Sequence, residues 1–370
     1  MNTVRRLGFI LIVGLLLGWG CGGGAVVKPE KPVVSPPATT EAKPWELVEI
    51  PLKVALRAVY FANDNIVFAV GDKGTIIISR DKGKHWEKQS PQSKADLCGV
   101  HFIDKDHGWA CGDGDPDAPG ARGHIVTGRT MKCSTCLITS DGGNNWETVW
   151  VHTNFELRSI WMASPKVGQI CNHGTELHPD GDSIITCDGA RTWRQESVYR
   201  GLNDCCWISE KEGWAVGSAV SVGFVPTPTS PLYTHGTARI IHTSDGGKNW
   251  QPQDTEDIKG QLRSIWFVDS QFGCTVGDAG TIFITSNGGK DWTLCEKVTN
   301  NTLYAVCFTS KSNGWAVGKK GEIVKTTDGG KTWGKEPSPA KTTFYGLHFS
   351  EKDKIGIAVG AKGTIIRFQP

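Results

Sequence analysis

At 370 residues and a formal net charge of +2, the chain can bury a large core and carries no excess charge to favour nucleic acid. Its 46 glycines and 15 tryptophans support many tight turns and large, repeated packing units. It has no P-loop, no dinucleotide glycine fingerprint, no Gly-x-Ser-x-Gly and no CxxCH, which argues against nucleotide, serine-esterase and covalent-haem chemistry.

The first residues, MNTVRRLGFILIVGLLLGWGC, read as an export signal. Arg5 and Arg6 give the positive start, and Leu7 to Leu17 is an apolar run too short for a spanning helix. Gly18-Trp19-Gly20-Cys21 resembles a bacterial lipobox, which would leave Cys21 as an acylated N-terminus. Residues 22–44 are rich in proline, alanine and threonine with no apolar period and read as an extended tether. The expected location is the cell envelope, at the outer membrane or periplasmic face.

From Trp45 onward the chain repeats. LRAVYF (56–61), LCGVHF (97–102), LRSIWM (157–162), LNDCCW (202–207), LRSIWF (262–267), LYAVCF (303–308) and FYGLHF (344–349) open seven units of about 45 residues. Each continues with a GWAVG-like strand, a GTIFIT-like strand and, in six of them, a turn of the type TSDGGKNW. That period, with four short strands per unit, predicts an all-β fold: a seven-bladed β-propeller of four-stranded antiparallel blades over 45–370. The last unit stops after its third strand, so WELVEI (45–50) is expected to supply the missing strand and close the ring.

The turn is identified as an Asp box, the bacterial neuraminidase repeat, with Asp81, Asp141, Asp188, Asp245, Asn287 and Asp328 at the key position. Its acid accepts local backbone N–H groups and its glycines tolerate positive φ, so it specifies fold and not chemistry. The order LRSIWF…GCTVGDAGTIFITSNGGKDW resembles the photosystem II stability/assembly factor family. The resemblance implies a non-enzymatic, exported propeller that binds a membrane protein complex subunit during assembly, with no cofactor and as a monomer. The alternative is a sialidase-like glycoside hydrolase or a carbohydrate-binding propeller. The hydrolase needs an arginine triad and a tyrosine nucleophile; no aromatic-Arg-Ile-Pro start is present, Arg57 being the nearest first-blade candidate, and only five tyrosines exist.

Blade topology places a site. The Asp boxes share one end of the ring with the a–b turns; the b–c turns and the start of every strand a share the other. Three consecutive units carry long b–c inserts, at 113–136, 172–182 and 218–238, all on that second face. The second position of strand a, in ring order, is Arg57, Cys98, Arg158, Asn203, Arg263, Tyr304 and Tyr345. The arginines, with Asn203, Tyr304 and Tyr345, form the candidate binding set, suited to an acidic peptide. His124, His173, His178, His235, Asp113, Asp115 and Asp117 also lie there, but loop residues of these types are commonly solvated or turn-forming, and no metal is expected.

Twelve cysteines in an exported chain suggest disulfides. The repeat register sets Cys111 opposite Cys136, with Cys98 on the adjacent strand and Cys133 three residues before Cys136. A pair of disulfides pinning the first insert is expected, with a four-thiolate zinc site as the rival.

Overall fold

The computed structural model describes residues 44–89, 93–115, 125–126, 129–130, 134–151, 156–173, 183–196, 201–218, 238–253 and 260–370. Seven four-stranded antiparallel sheets follow one another, as the repeat predicts. Blade one is Leu56–Phe61, Val67–Gly71, Thr75–Ser79 and Glu87–Gln89, lettered a to d from the centre outward. The strands a of the next six blades are Asp96–Phe102, Glu156–Met162, Leu202–Trp207, Leu262–Phe267, Leu303–Phe308 and Phe344–Phe349. Each touches the next around the ring.

The seventh blade is closed by the N-terminal strand. Trp45–Val48 pairs antiparallel with Ile365–Phe368, Trp45 opposite Phe368 and Val48 opposite Ile365. Trp45 is 1% exposed, packs against Phe349 and Phe368, and donates its indole N–H to Glu336 at 2.9 Å. Arg367 joins the two ends of the fold through Glu46 at 2.9 Å. The apolar surface and the hydrogen bonds of an otherwise unpaired edge are thereby used inside the ring.

Blades interlock through two strand positions. The second residue of strand b stacks on the last aromatic of the next strand a: Phe68 on Phe102 (4.2 Å between centroids), Trp214 on Phe267 (3.6 Å) and Trp315 on Phe349 (4.5 Å). The fifth position of strand a accepts a backbone N–H from the neighbouring blade, as in Met162 to His101 Nδ1 (3.4 Å), Phe267 to Cys206 Sγ (3.4 Å) and Phe61 to His348 Nδ1 (3.3 Å).

The Asp boxes are turn scaffolds. Asp245 accepts the Asn249 N–H at 2.9 Å and its side-chain amide at 2.7 Å, and these bonds hold its carboxyl down at about 2. Thr243 Oγ1 receives the N–H groups of Asp245 (3.4 Å) and Gly247 (3.0 Å) while donating to Asp245. The hydroxyl residue two before the acid repeats this role in all six copies and is the hub that the motif reading passed over. Gly247 has φ 79°, and a Cβ there would lie 2.3 Å from Ile185 Cδ1 of the preceding blade, so glycine serves both turn and packing. Trp250, closing the motif, is 4% exposed and meets Trp207 edge-on.

The b–c inserts are narrower than the sequence suggested. Strand b of blade two runs to Asp113 and strand c starts at Ser134, so the first connection is 114–133, with a small hairpin of Ile125–Val126 and Arg129–Thr130. The other two are 174–182 and 219–237.

Candidate functional site

Each strand a carries a β-bulge at its second residue. The register skips from Leu56 to Ala58, Leu97 to Gly99, Leu157 to Ser159, Leu202 to Asp204, Leu262 to Ser264, Leu303 to Ala305 and Phe344 to Gly346. A bulge leaves one residue unpaired and re-aims its side chain. The residues so re-aimed are Arg57, Cys98, Arg158, Asn203, Arg263, Tyr304 and Tyr345, and all seven line one cavity of about 650 Å³ at the centre of the ring. The structure therefore brings the entire candidate set together.

The three arginines are each already paired. Arg57 gives Nε and Nη2 to Asp72 at 2.8 and 3.4 Å, and Arg263 gives the same pair to Asp278 at 2.9 and 3.2 Å. Arg158 meets Glu156 at 2.8 Å. Arg57 lies over the Tyr345 ring at 5.0 Å, Arg263 over Tyr304 at 5.9 Å, and the two tyrosines meet at 5.6 Å. Blades five, six, seven and one thus present a continuous arc of guanidinium, two phenols and guanidinium. Asn203 is 8% exposed and donates to the Leu262 carbonyl at 2.7 Å, which fixes the seam between blades four and five.

Four carboxylates also line the cavity, all on blades two to four: Asp96, Asp113, Glu156 and Asp204. Desolvation pushes Asp204 and Asp113 up to about 6, although each accepts backbone N–H bonds, Asp204 from Ile265 and Cys205 and Asp113 from Leu157. The sequence placed Asp113 on this face among loop residues expected to be solvated, and its reading passed over Asp96, Glu156 and Asp204 as cavity residues. The signal for Asp204 was present: the third position of strand a is alanine, glycine or serine in every other blade.

The floor is aromatic. Tyr60, His101, Trp161, Trp266 and His348 form a closed circuit of ring contacts at 4.5, 4.5, 5.9, 5.5 and 4.1 Å. His101 and His348 are 4% and 7% exposed, and burial drops both imidazoles to about 3. Since Nδ1 of each accepts a backbone N–H, the neutral ring carries its proton on Nε2. The cavity is therefore a cup that opens on the face away from the Asp boxes.

Of the cysteine cluster, Cys111 and Cys136 are register partners, as expected. Among the described residues Cys98, Cys111 and Cys136 are free thiols, with no disulfide between them. The bulge turns Cys98 to within 3.9 Å of Cys111, sulfur to sulfur. Cys133, Cys21, His124, His178, His235 and Asp117 lie outside the described residues. Asp115 is spent on a turn, accepting from Ser93 Oγ at 2.6 Å and the Lys94 N–H at 3.0 Å.

Comparison with known proteins places this architecture. The family model described as photosynthesis system II assembly factor YCF48 matches residues 33–116 and 296–369. The photosystem II assembly lipoprotein Ycf48 of Nostoc sp. is 30% identical over 330 residues, covering 74% of this chain and 92% of that protein. A solved structure described as YCF48 bound to D1 peptide superposes with a TM-score of 0.64 at 19% identity, covering 91% of this chain and all of that one. A sialidase of Bacteroides fragilis is 24% identical over 180 residues, which is 46% of this chain and 32% of the enzyme. Similarity over nearly the whole length of Ycf48, and over only a third of the sialidase, resolves the choice: this chain belongs to the Ycf48 family of photosystem II assembly factor propellers.

Proposed function

We propose that this chain is an exported, lipid-anchored, non-enzymatic monomer that receives a peptide segment of a membrane-complex subunit in its central cup and assists assembly of that complex. One observation carries the reading: seven bulged strand starts converge on one blind cup whose wall is split by charge. Arg57, Tyr345, Tyr304 and Arg263 form one side, and Asp96, Asp113, Glu156 and Asp204, with Arg158 paired to Glu156, the other. Such a wall suits a short segment carrying both charge signs, the acidic group toward the tyrosine arc and the basic group toward blades two to four. The peptide-bound relative supports a peptide as the occupant. The lipoprotein name of the Nostoc relative, with the Gly18-Trp19-Gly20-Cys21 stretch, supports the anchor.

The enzymatic reading weakens on the same geometry. A sialidase needs a tyrosine nucleophile assisted by a glutamate, whereas Tyr304 and Tyr345 lie against Arg263 and Arg57, and Glu156 is paired with Arg158 on blade three. The test is a pull-down from solubilised membranes with the anchored protein as bait. A membrane-complex subunit should elute with the natural chain and be lost with Arg158→Glu/Arg263→Glu. An eluate without such a subunit, or one indifferent to the double variant, overturns the peptide-cup reading, and hydrolysis of a fluorogenic sialoside would reinstate the enzyme. Cys21→Ala should release the protein from membranes, and unchanged retention sinks the anchor.

A further inference from the structure

Blade two carries a line of thiols across three strands: Cys98 on strand a, Cys111 on strand b and Cys136 on strand c. The bulge makes Cys98 the extra residue, since Leu97 pairs with Gly112 and Gly99 with Cys111. Two residues of strand a therefore oppose one of strand b, and Cys98 lies beside Cys111. Its sulfur is 3.9 Å from that of Cys111, 3.4 Å from the Cys111 carbonyl and 3.0 Å from the Leu157 carbonyl of blade three. Gly99 leaves this space open, because a Cβ there would stand 3.0 Å from Cys111 Sγ.

The two thiols differ in access. Cys98 is half-buried and lines the cup, between the blades that bear Arg57 and Arg158. Cys111 and Cys136 are fully buried. Burial pushes the Cys111 thiol well up, so it is a poor first nucleophile.

We propose that Cys98 and Cys111 form a modification site that accepts a disulfide from a disulfide-bearing oxidant entering through the cup. The Cys98 thiolate attacks one sulfur of the oxidant, expelling its other sulfur as a thiolate and leaving a mixed disulfide at Cys98. The Cys111 thiol then loses its proton to solvent and attacks the Cys98 sulfur, expelling the second thiolate. Two protein thiols are oxidised to one disulfide and the oxidant disulfide is reduced to two thiols, so electrons and protons balance. The reaction closes a gap of 3.9 Å to the bonded separation of about 2.05 Å. Cys136, although opposite Cys111, has no route to an oxidant without opening the sheet. The site does not depend on what the cup binds.

The test uses the full chain, reduced and then incubated with oxidised glutathione, followed by alkylation and non-reducing peptide mapping. A peptide linking Cys98 to Cys111 is expected, with loss of two alkylatable thiols. Cys111→Ser should halt the reaction as a glutathione adduct on Cys98, Cys98→Ser should give neither adduct nor cross-link, and Cys136→Ser should leave the cross-link intact. The wild-type map stands without the variants if any of them fails to fold. A cross-link containing Cys136 or Cys133 in place of Cys98, or a Cys98 that remains alkylatable after prolonged exposure, overturns the proposal.

Discussion

The two halves of the cup differ more than any two blades do. Blades five, six, seven and one keep minimal b–c turns and carry the arginine–tyrosine arc, with Arg57 and Arg263 each braced by the aspartate that begins the turn of its own blade. Blades two, three and four hold the three long connections and all four lining carboxylates. Backbone, Asp box and bulge are shared by both halves. The division teaches that the repeat fixes where side chains converge, while the b–c connections and the second and third positions of strand a decide what converges there.

The largest expected effect breaks the floor that both halves share. His101 belongs to blade two and His348 to blade seven, and both are held near pKa 3 by burial. In the unfolded chain each takes a proton near 6.5, so their contribution to stability is lost as pH falls from about 6.5 toward 3, by at most about 4–5 kcal/mol per residue. Asp204 and Asp113, raised to about 6, act in the opposite sense: their contribution is lost as pH rises from about 4 to 6. The two pairs offset each other between pH 6 and 4. Below about 4 the aspartates no longer offset the histidines, the Asp-box carboxylates held near 2 lose their contribution in the same sense, and stability should fall steeply. Equilibrium denaturation across this range should show a plateau and then a drop that His101→Gln/His348→Gln makes shallower, the remainder belonging to the depressed carboxylates. A drop unchanged in that variant would remove the histidines from the account.

Ring closure comes next. Trp45→Ala should cost about 3–5 kcal/mol, because it empties a fully buried site and removes the bond to Glu336. A cost below about 1 kcal/mol in denaturant titration would mean that the ring holds without its N-terminal strand.

The acidic half is tested by Asp204→Asn. Loss of the desolvated carboxylate should raise stability at pH 7 by at most about 2–3 kcal/mol and abolish its pH dependence between 4 and 6, less the cost of any backbone N–H left unpaired. Equal stability of variant and natural chain at pH 7 together with an unchanged pH profile would show that the carboxylate is solvated. Arg158→Glu/Arg263→Glu reaches across both halves. It should weaken peptide capture at least tenfold, as read by anisotropy with a labelled subunit peptide, and move the melting temperature little, since mouth charges carry little stability.

How much of this was legible follows from the range of each interaction. The period, the Asp box and the GWAVG strand are local patterns, so blade number, strand order and ring closure could be read from spacing alone. Counting along the repeat also set Cys111 opposite Cys136, which the register bears out. The bulge was not legible. It arises where the start of strand a meets the end of strand b, and it sets Cys98 on the cup wall beside Cys111. The aspartate partners of Arg57 and Arg263 were within reach, fifteen residues on in each blade, but only if strands a and b are laid side by side. Asp204 and the floor histidines draw their properties from burial at the ring centre, which no single blade reveals.

The smallest effect concerns three lysines of the regular half. Lys73, Lys320 and Lys362 occupy the b–c turns with φ of 58°, 61° and 59°, the left-handed region that costs a side-chain-bearing residue about 1 kcal/mol or more. Glycine would relieve the strain but would add freedom to the unfolded chain, so Lys320→Gly should stabilise by no more than about 1 kcal/mol. A small rise in melting temperature checks it. The informative variant replaces all three. If stability rises and peptide capture is unchanged, the lysines are incidental to turns that glycine would serve better. If stability rises while capture falls, the rim of blades six, seven and one keeps strained lysines for their charge, and the cationic character of that half extends from the tyrosine arc out to the turns.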